Sequence, residues 1–192
     1  MTPKRSPSTD TTSPTCLNRR NFLKLTAFAA AGMMAGPAFA KIGPLRQRPL
    51  SFYNTHTGES LRTDYWAGGH YVPEGLAEIN YILRDHRTNE VKAIDPRLLD
   101  LLYALQLKLG SRQAFHIISG YRSPATNAFL HAHSSGVASH SLHMEGMAAD
   151  IFLPDRSLHT LRQAALSLER GGVGYYPESN FVHVDVGRIR QW

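Results

Sequence analysis

Read for the alternation of apolar and polar positions, the chain resolves into short segments. Residues 49–54 (LSFYNT) and 60–66 (SLRTDYW) are rich in aromatic and β-branched side chains and flank a His-Thr-Gly-Glu turn, which predicts a β-hairpin. Pro73 opens a helix with Leu76, Ile79 and Leu83 on one face. Asp95-Pro96 reads as a cap and first turn. Leu98, Leu101, Leu102, Leu105 and Leu109 follow as a stripe that Gly110 ends. A strand is expected at 115–119 (FHIIS), a short helix at 123–133 and a strand at 148–153 (AADIFL). Leu158, Leu161, Ala165 and Leu168 mark a last helix, closed by Gly171-Gly172, and VGYY (173–176) and FVHVDV (181–186) finish the chain as strands.

Short late strands mixed with early helices predict an α+β domain, a small antiparallel sheet with helices packed on one side. The leucine stripe is core and has no functional reading. No internal repeat or low-complexity tract interrupts the pattern.

The first forty residues follow a different rule. Twin arginines, Arg19 and Arg20, precede an uncharged stretch from Leu25 to Ala40 that ends Ala-Phe-Ala. A membrane span needs about 20 apolar residues, and this stretch is shorter and rich in alanine and glycine. It reads as a cleavable export signal of the twin-arginine type, over residues 1–40, rather than an uncleaved anchor. The expected location is therefore the periplasm or cell envelope, with no stable membrane span after cleavage. Residues 41–192 form one domain, of a size that buries about two-thirds of its unfolded surface.

Cleavage changes the composition. The whole chain has 21 basic and 15 acidic residues. Residues 1–40 carry five of the former (Lys4, Arg5, Arg19, Arg20, Lys24) and one of the latter (Asp10), so 16 and 14 remain, a net of +2. The high isoelectric point supports no nucleic-acid partner. The single cysteine, Cys16, leaves with the signal. The mature domain then has no disulfide, thiolate nucleophile or thiolate metal site. Any metal must be held by histidine and carboxylate.

Residues 139–150, SHSLHMEGMAAD, crowd such groups together. A hydrolytic zinc site needs three protein ligands and one open position. On one continuous helix His143 and Asp150 would lie about 10 Å apart along the axis. A turn at Gly146 followed by a strand through Asp150 brings them closer. A further ligand must come from elsewhere, and FVHVDV supplies candidates. In a strand, His183 and Asp185 share one face and Val182, Val184 and Val186 the other. His143-Met144-Glu145 also fits the H-x-E of zinc deaminases, but those need a P-C-x-x-C partner that the mature chain lacks.

Ser141, His143, Gly146, Ala148 and Asp150 fill an S-x-H-x-x-G-x-A-x-D pattern. With SGYRS at 119–123 and His183 on a late strand, the chain resembles the M15-type zinc peptidases, the D-alanyl-D-alanine peptidase group with a hedgehog-like fold. HTGES and GGVGYYPESNFVHVD narrow the likeness to the murein endopeptidases of that group and extend it over essentially the whole mature chain.

The resemblance implies one zinc ion bound by His143, Asp150 and His183, with water as the fourth ligand, and Arg122 stabilising the oxyanion. It implies a metallopeptidase whose zinc-bound water attacks the scissile carbonyl of peptidoglycan cross-links, the partners being stem peptides. A monomer is expected. Ser141 is a candidate substrate contact or a turn hydroxyl, and Tyr175 and Tyr176 are candidates for the cleft wall or for packing at a strand end.

In relatives an acid sits three residues before the last histidine, where this chain has Asn180. Asp185 is then the candidate base, or else a carboxylate that orients His183. His140 and Glu145 are further candidates, each read first as a solvated loop side chain. His56, His70, His86, His116, His131, His133 and His159 are read as structural or solvated. Three alternatives stay open: a carboxypeptidase on stem peptides, a non-catalytic zinc-containing peptidoglycan-binding module and, more weakly, an L,D-transpeptidase-like role. The missing cysteine opposes the last.

Overall fold

The computed structural model describes residues 47–133 and 137–192. Residues 1–40, where an export signal is expected, lie outside the described residues. Among the latter no helix is long and apolar enough to cross a membrane. The elements run β1 (Gln47–Asn54), β2 (Ser60–Ala67), β3 (His70–Tyr71), α1 (Pro73–Ile82), α2 (Pro96–Leu109), β4 (Phe115–Ser119) and α3 (Pro124–His133). A 3-10 turn (Leu142–Glu145), β5 (Ala148–Phe152), α4 (Leu158–Leu166), β6 (Gly172–Tyr176), β7 (Phe181–Asp185) and β8 (Arg190–Gln191) complete the chain.

The class is α+β, as expected. The strands form one sheet in the order β3-β2-β1-β4-β5-β7-β6-β8. It is mostly antiparallel, but β1 pairs with β4 and β6 with β8 in parallel. Hydrophobic patterning does not encode strand direction. The β1–β4 pairing follows from the crossover through α1 and α2 between them.

Local signals act where the sequence puts them. The Asp95 carboxylate accepts from the Arg97 amide at 2.9 Å to cap α2, and Gly110 ends it in the left-handed conformation, φ 58°. Leu98, Leu101, Leu102 and Leu105 are buried. Helices α2 and α4 pack on each other; α2 also contacts β1, and α4 contacts β6 and β7.

Pleating divides the central strands into two faces. Val182 and Val184 on β7 stand opposite Ile151 and Ala149 on β5, and all four are fully buried in the core. Fully burying one such branched side chain stabilises by about 1.5–3 kcal/mol. The intervening residues turn to the other face, where register sets Asp150 across from His183 and Ala148 across from Asp185. A slip of one residue would exchange the ionisable set for the valines, so core packing fixes the polar site as well.

Gly146 joins the 3-10 turn to β5 with φ 68°. A Cβ there would come 2.5 Å from the Ala93 carbonyl oxygen, and the Gly146 carbonyl accepts from the Asp95 amide at 2.9 Å. Both the left-handed backbone and the close approach require glycine. Gly146→Ala is expected to lower unfolding free energy by about 1–3 kcal/mol, measured by urea denaturation, and to reduce metal affinity through the His143–Asp150 spacing. Unchanged stability would remove the strain argument.

Candidate metal centre

Three buried ligand atoms converge on the polar face of the sheet. His183 Nδ1 lies 2.8 Å from Asp150 Oδ1, and His143 Nε2 lies 3.2 Å from Asp150 Oδ1 and 3.2 Å from His183 Nδ1. Among the described residues this is the group of histidine and acid side chains close enough to share one ion.

The backs of the rings fix which nitrogen faces inward. His143 Nδ1 is 2.7 Å from the Gly120 carbonyl, which only accepts, so Nδ1 carries the hydrogen and Nε2 presents a lone pair. His183 Nε2 is 3.1 Å from Asp185 Oδ2, which in the neutral ring leaves the Nδ1 lone pair pointing inward. When both rings are neutral, two imidazole lone pairs and a carboxylate oxygen face one point without a hydrogen among them. A cation satisfies that arrangement. Tetrahedral bonds of about 2.0–2.1 Å need ligand atoms about 3.3 Å apart, close to the spacing here. Two nitrogens and one carboxylate oxygen, with no sulfur, form a donor set that suits zinc and leaves a coordination position open.

Each ligand is held by a sequence feature. SGYRS runs behind His143: Gly120 accepts from its ring, and the Arg122 amide donates to its carbonyl at 3.2 Å. A side chain at residue 120 would collide with Leu83. Ser141 caps the 3-10 turn, its Oγ accepting from the His143 amide at 3.4 Å, and also lines the cleft, so both of its expected roles remain compatible with its position.

Asp185 stands at the end of β7. It is fully buried. Oδ1 accepts from the amides of Gly172 (3.0 Å) and Gly187 (2.9 Å) and from Arg190 Nη1 (3.1 Å). Oδ2 accepts from Arg190 Nη2 (2.7 Å) and from His183. These donors saturate the carboxylate on the far side of the ring from the ligand cluster. Of its two expected roles the geometry supports orientation of His183 and not proton abstraction.

Tyr175 stands on β6. It lies opposite Val182 on the core face and packs there, with Arg162 over its ring at 5.2 Å. The pleat turns its neighbour Tyr176 into the cleft. Glu145 is exposed and outside the cleft lining, whereas His140 lines it. Of the remaining histidines, His56 and His86 stack on each other at 3.8 Å, and His116 packs between Tyr53 and Phe152.

The cleft encloses about 380 Å³ and has Arg122, Ser141 and Tyr176 on its walls. Arg122 is nine-tenths buried and poorly partnered. Its contacts to Asn127 (3.4 Å), Ser119 (3.4 Å) and Asp150 (3.6 Å) are all long, and its Nε has no partner. Burial pulls its pKa down and Asp150 partly restores it. Such a guanidinium is suited to an anionic or developing-oxyanion group. Asn127 donates to the carbonyls of Ala138 and Ser139 and so ties the His140 loop to α3. Sequence reading missed Asn127, Arg190 and Trp192, since no local pattern marks them.

Burial opposes charge on Asp150, yet His143 and His183 hold it well below the ordinary carboxylate range. Burial lowers the His183 pKa, but Asp150 and Asp185 on either side raise it further, to about 9.

Three comparisons bear on this geometry. Residues 44–192 match the family model Peptidase_M15_2, described as Peptidoglycan L,D-endopeptidase MepK. The chain is 48% identical over 176 residues to the peptidoglycan L,D-endopeptidase MepK of Escherichia coli (strain K12), covering 91% of this chain and 97% of that protein. It is 39% identical over 177 residues to the probable peptidoglycan L,D-endopeptidase MepK of Haemophilus influenzae, covering 91% of this chain and 95% of that protein.

Metal-free His183, with a folded pKa of about 9 against 6.5 unfolded, is protonated at pH 7. Its contribution to apo-protein stability is complete below pH 6.5 and lost as pH rises through about 9. A metal ion bound through His183 would have to displace this proton. Calorimetry in buffers of different ionisation enthalpy is expected to give release of at least one proton per zinc at pH 7, the proton of His183. No release at pH 7 would contradict ligation by His183.

Proposed function

This chain belongs to the Peptidase_M15_2 family, and on that premise we propose that it is an exported, zinc-dependent endopeptidase that hydrolyses peptide cross-links in peptidoglycan. The observation that carries the reading is the convergence of His143 Nε2, His183 Nδ1 and Asp150 Oδ1 on one point in the cleft. His143, Asp150 and His183 would hold the zinc. Zinc in such a site supplies Lewis acidity, polarising a carbonyl and making water a better nucleophile near neutral pH.

The protein's own residues do the rest. Arg122, short of partners in the free protein, takes the negative charge that develops on the carbonyl oxygen. Asp185, itself clamped by Arg190, keeps the His183 tautomer and ring angle fixed. Ser141 contacts the peptide while capping the turn that carries His143.

Asn180 accepts no proton, and Asp150 is the one carboxylate among the described residues lining the cleft. We assign proton transfer to His140, the imidazole on that wall which is not a ligand. Twin arginines before an apolar stretch support export to the periplasm, where the cross-links are. A zinc-containing binding module without turnover is the second reading, favoured by the lack of a carboxylate base.

Digestion of cross-linked sacculi by the purified protein tests both. Cross-linked muropeptides are expected to disappear, with loss of activity in chelator and recovery on adding zinc. His140→Ala is expected to keep zinc and lose about 10²-fold in kcat. A folded, zinc-loaded protein that leaves sacculi intact would favour the binding module. Full activity in His140→Ala would overturn the proton-transfer role.

A further inference from the structure

Trp192 is an exposed aromatic residue held rigidly beside a ligand. Its backbone is paired to β6 through both polar groups, donating to the Val173 carbonyl at 3.2 Å and accepting from the Tyr175 amide at 3.1 Å. Its indole Nε1 donates to the Tyr176 hydroxyl at 2.7 Å, and Tyr176 is in turn stacked on Phe181 at 4.6 Å. The Arg190 guanidinium lies over the indole ring at 4.8 Å. The strand beneath is bare, since a Cβ at Gly174 would come within 2.7 Å of the indole. These contacts fix the ring 5.3 Å from that of His183, where it lines the cleft with 47% of its surface exposed.

The hydrophobic core gives no reason for this arrangement, because His183 and Gly174 share the opposite face of the sheet. Strand order explains its position in the cleft. Arg122 follows β4, the ligands stand on β5 and β7 or just before them, and Trp192 follows β8 beyond β6. Arg122 and Trp192 therefore flank the ligand atoms from opposite sides. A carbonyl whose oxygen turns towards Arg122 brings the residue flanking the scissile bond against the indole. At the α-carbon of that residue one configuration turns its hydrogen to the wall and the other its side chain. A rigid wall separates these two cases, whereas a mobile one would adapt.

We propose that Trp192, braced by Tyr176, is the specificity-determining wall of the cleft, selecting the configuration and bulk of the residue that flanks the scissile bond. The inference rests on the endopeptidase reading. It adds how an L-centre and a D-centre at that bond are told apart.

The test is a matched pair of cross-linked muropeptides, one with an L-centre and one with a D-centre at the scissile carbonyl. Wild-type protein is expected to prefer one of them. Trp192→Ala should narrow the ratio of kcat/KM values at least tenfold while zinc content is unchanged, and Trp192→Phe should restore most of it. A ratio unchanged in a folded, zinc-loaded Trp192→Ala protein, or an equal loss on both substrates, overturns the proposal. If that variant does not fold, Tyr176→Phe removes only the bracing oxygen and should also narrow the ratio; an unchanged ratio counts against the wall. Binding separates this from failure of the endopeptidase reading. In Trp66→Phe protein Trp192 is the remaining indole of the mature domain, and both muropeptides are titrated into the zinc-loaded form. Fluorescence change with unequal affinities supports the wall even without turnover. No change on binding overturns it.

Discussion

Two imidazole lone pairs and a carboxylate oxygen are forced into one buried volume with no hydrogen to share between them. In a low-dielectric interior that is a cost unless a proton or a metal ion relieves it. The metal-free protein relieves it with a proton on His183, whose pKa is lifted to about 9. A zinc ion would relieve it better, because it would meet all three atoms at once. Most of the local structure serves to keep those atoms facing each other. The Gly120 carbonyl stands behind His143, and Asp185, saturated by two amides and Arg190, stands behind His183.

The sheet supplies the precision. Asp150 and His183 are directly opposed on β5 and β7, so their separation is a property of antiparallel register and not of flexible loops. The same register buries Ile151 and Val182 on the reverse face. Core packing and ligand geometry are thus one constraint: the apolar pattern that stabilises the domain also aims the ligands. His143 is the exception, since it sits on a 3-10 turn. Gly146 and the SGYRS segment compensate by pinning that turn between two backbone contacts.

The elements with strong apolar periodicity, α2 above all, were legible because their pattern and their caps agree. The candidate ligands His143, Asp150 and His183 were legible through the motifs that carry the family resemblance, and the structure brings these three together. Parallel pairing of β1 with β4 was not, since pairing direction depends on the crossover and not on the strand's own residues. Tyr175 and Tyr176 illustrate a finer limit: adjacent residues on a strand face opposite ways, and which one enters the cleft depends on a register that the sequence does not state. Asp185 was placed on the correct face, but its saturation depends on Arg190, Gly172 and Gly187, which only the folded chain brings together. Trp192 carried no signal at all, because its role arises from pairing β8 with β6.

The central claim is that this site is a three-residue metal centre built from nitrogen and oxygen alone. X-ray absorption at the zinc edge, on the stoichiometrically loaded protein, tests it most directly. A four-coordinate, sulfur-free shell at about 2.0–2.1 Å, with the outer-shell scattering of two imidazole rings, is expected. A six-coordinate oxygen shell without imidazole scattering would contradict it, and the converging lone pairs would then have to be relieved by a proton alone.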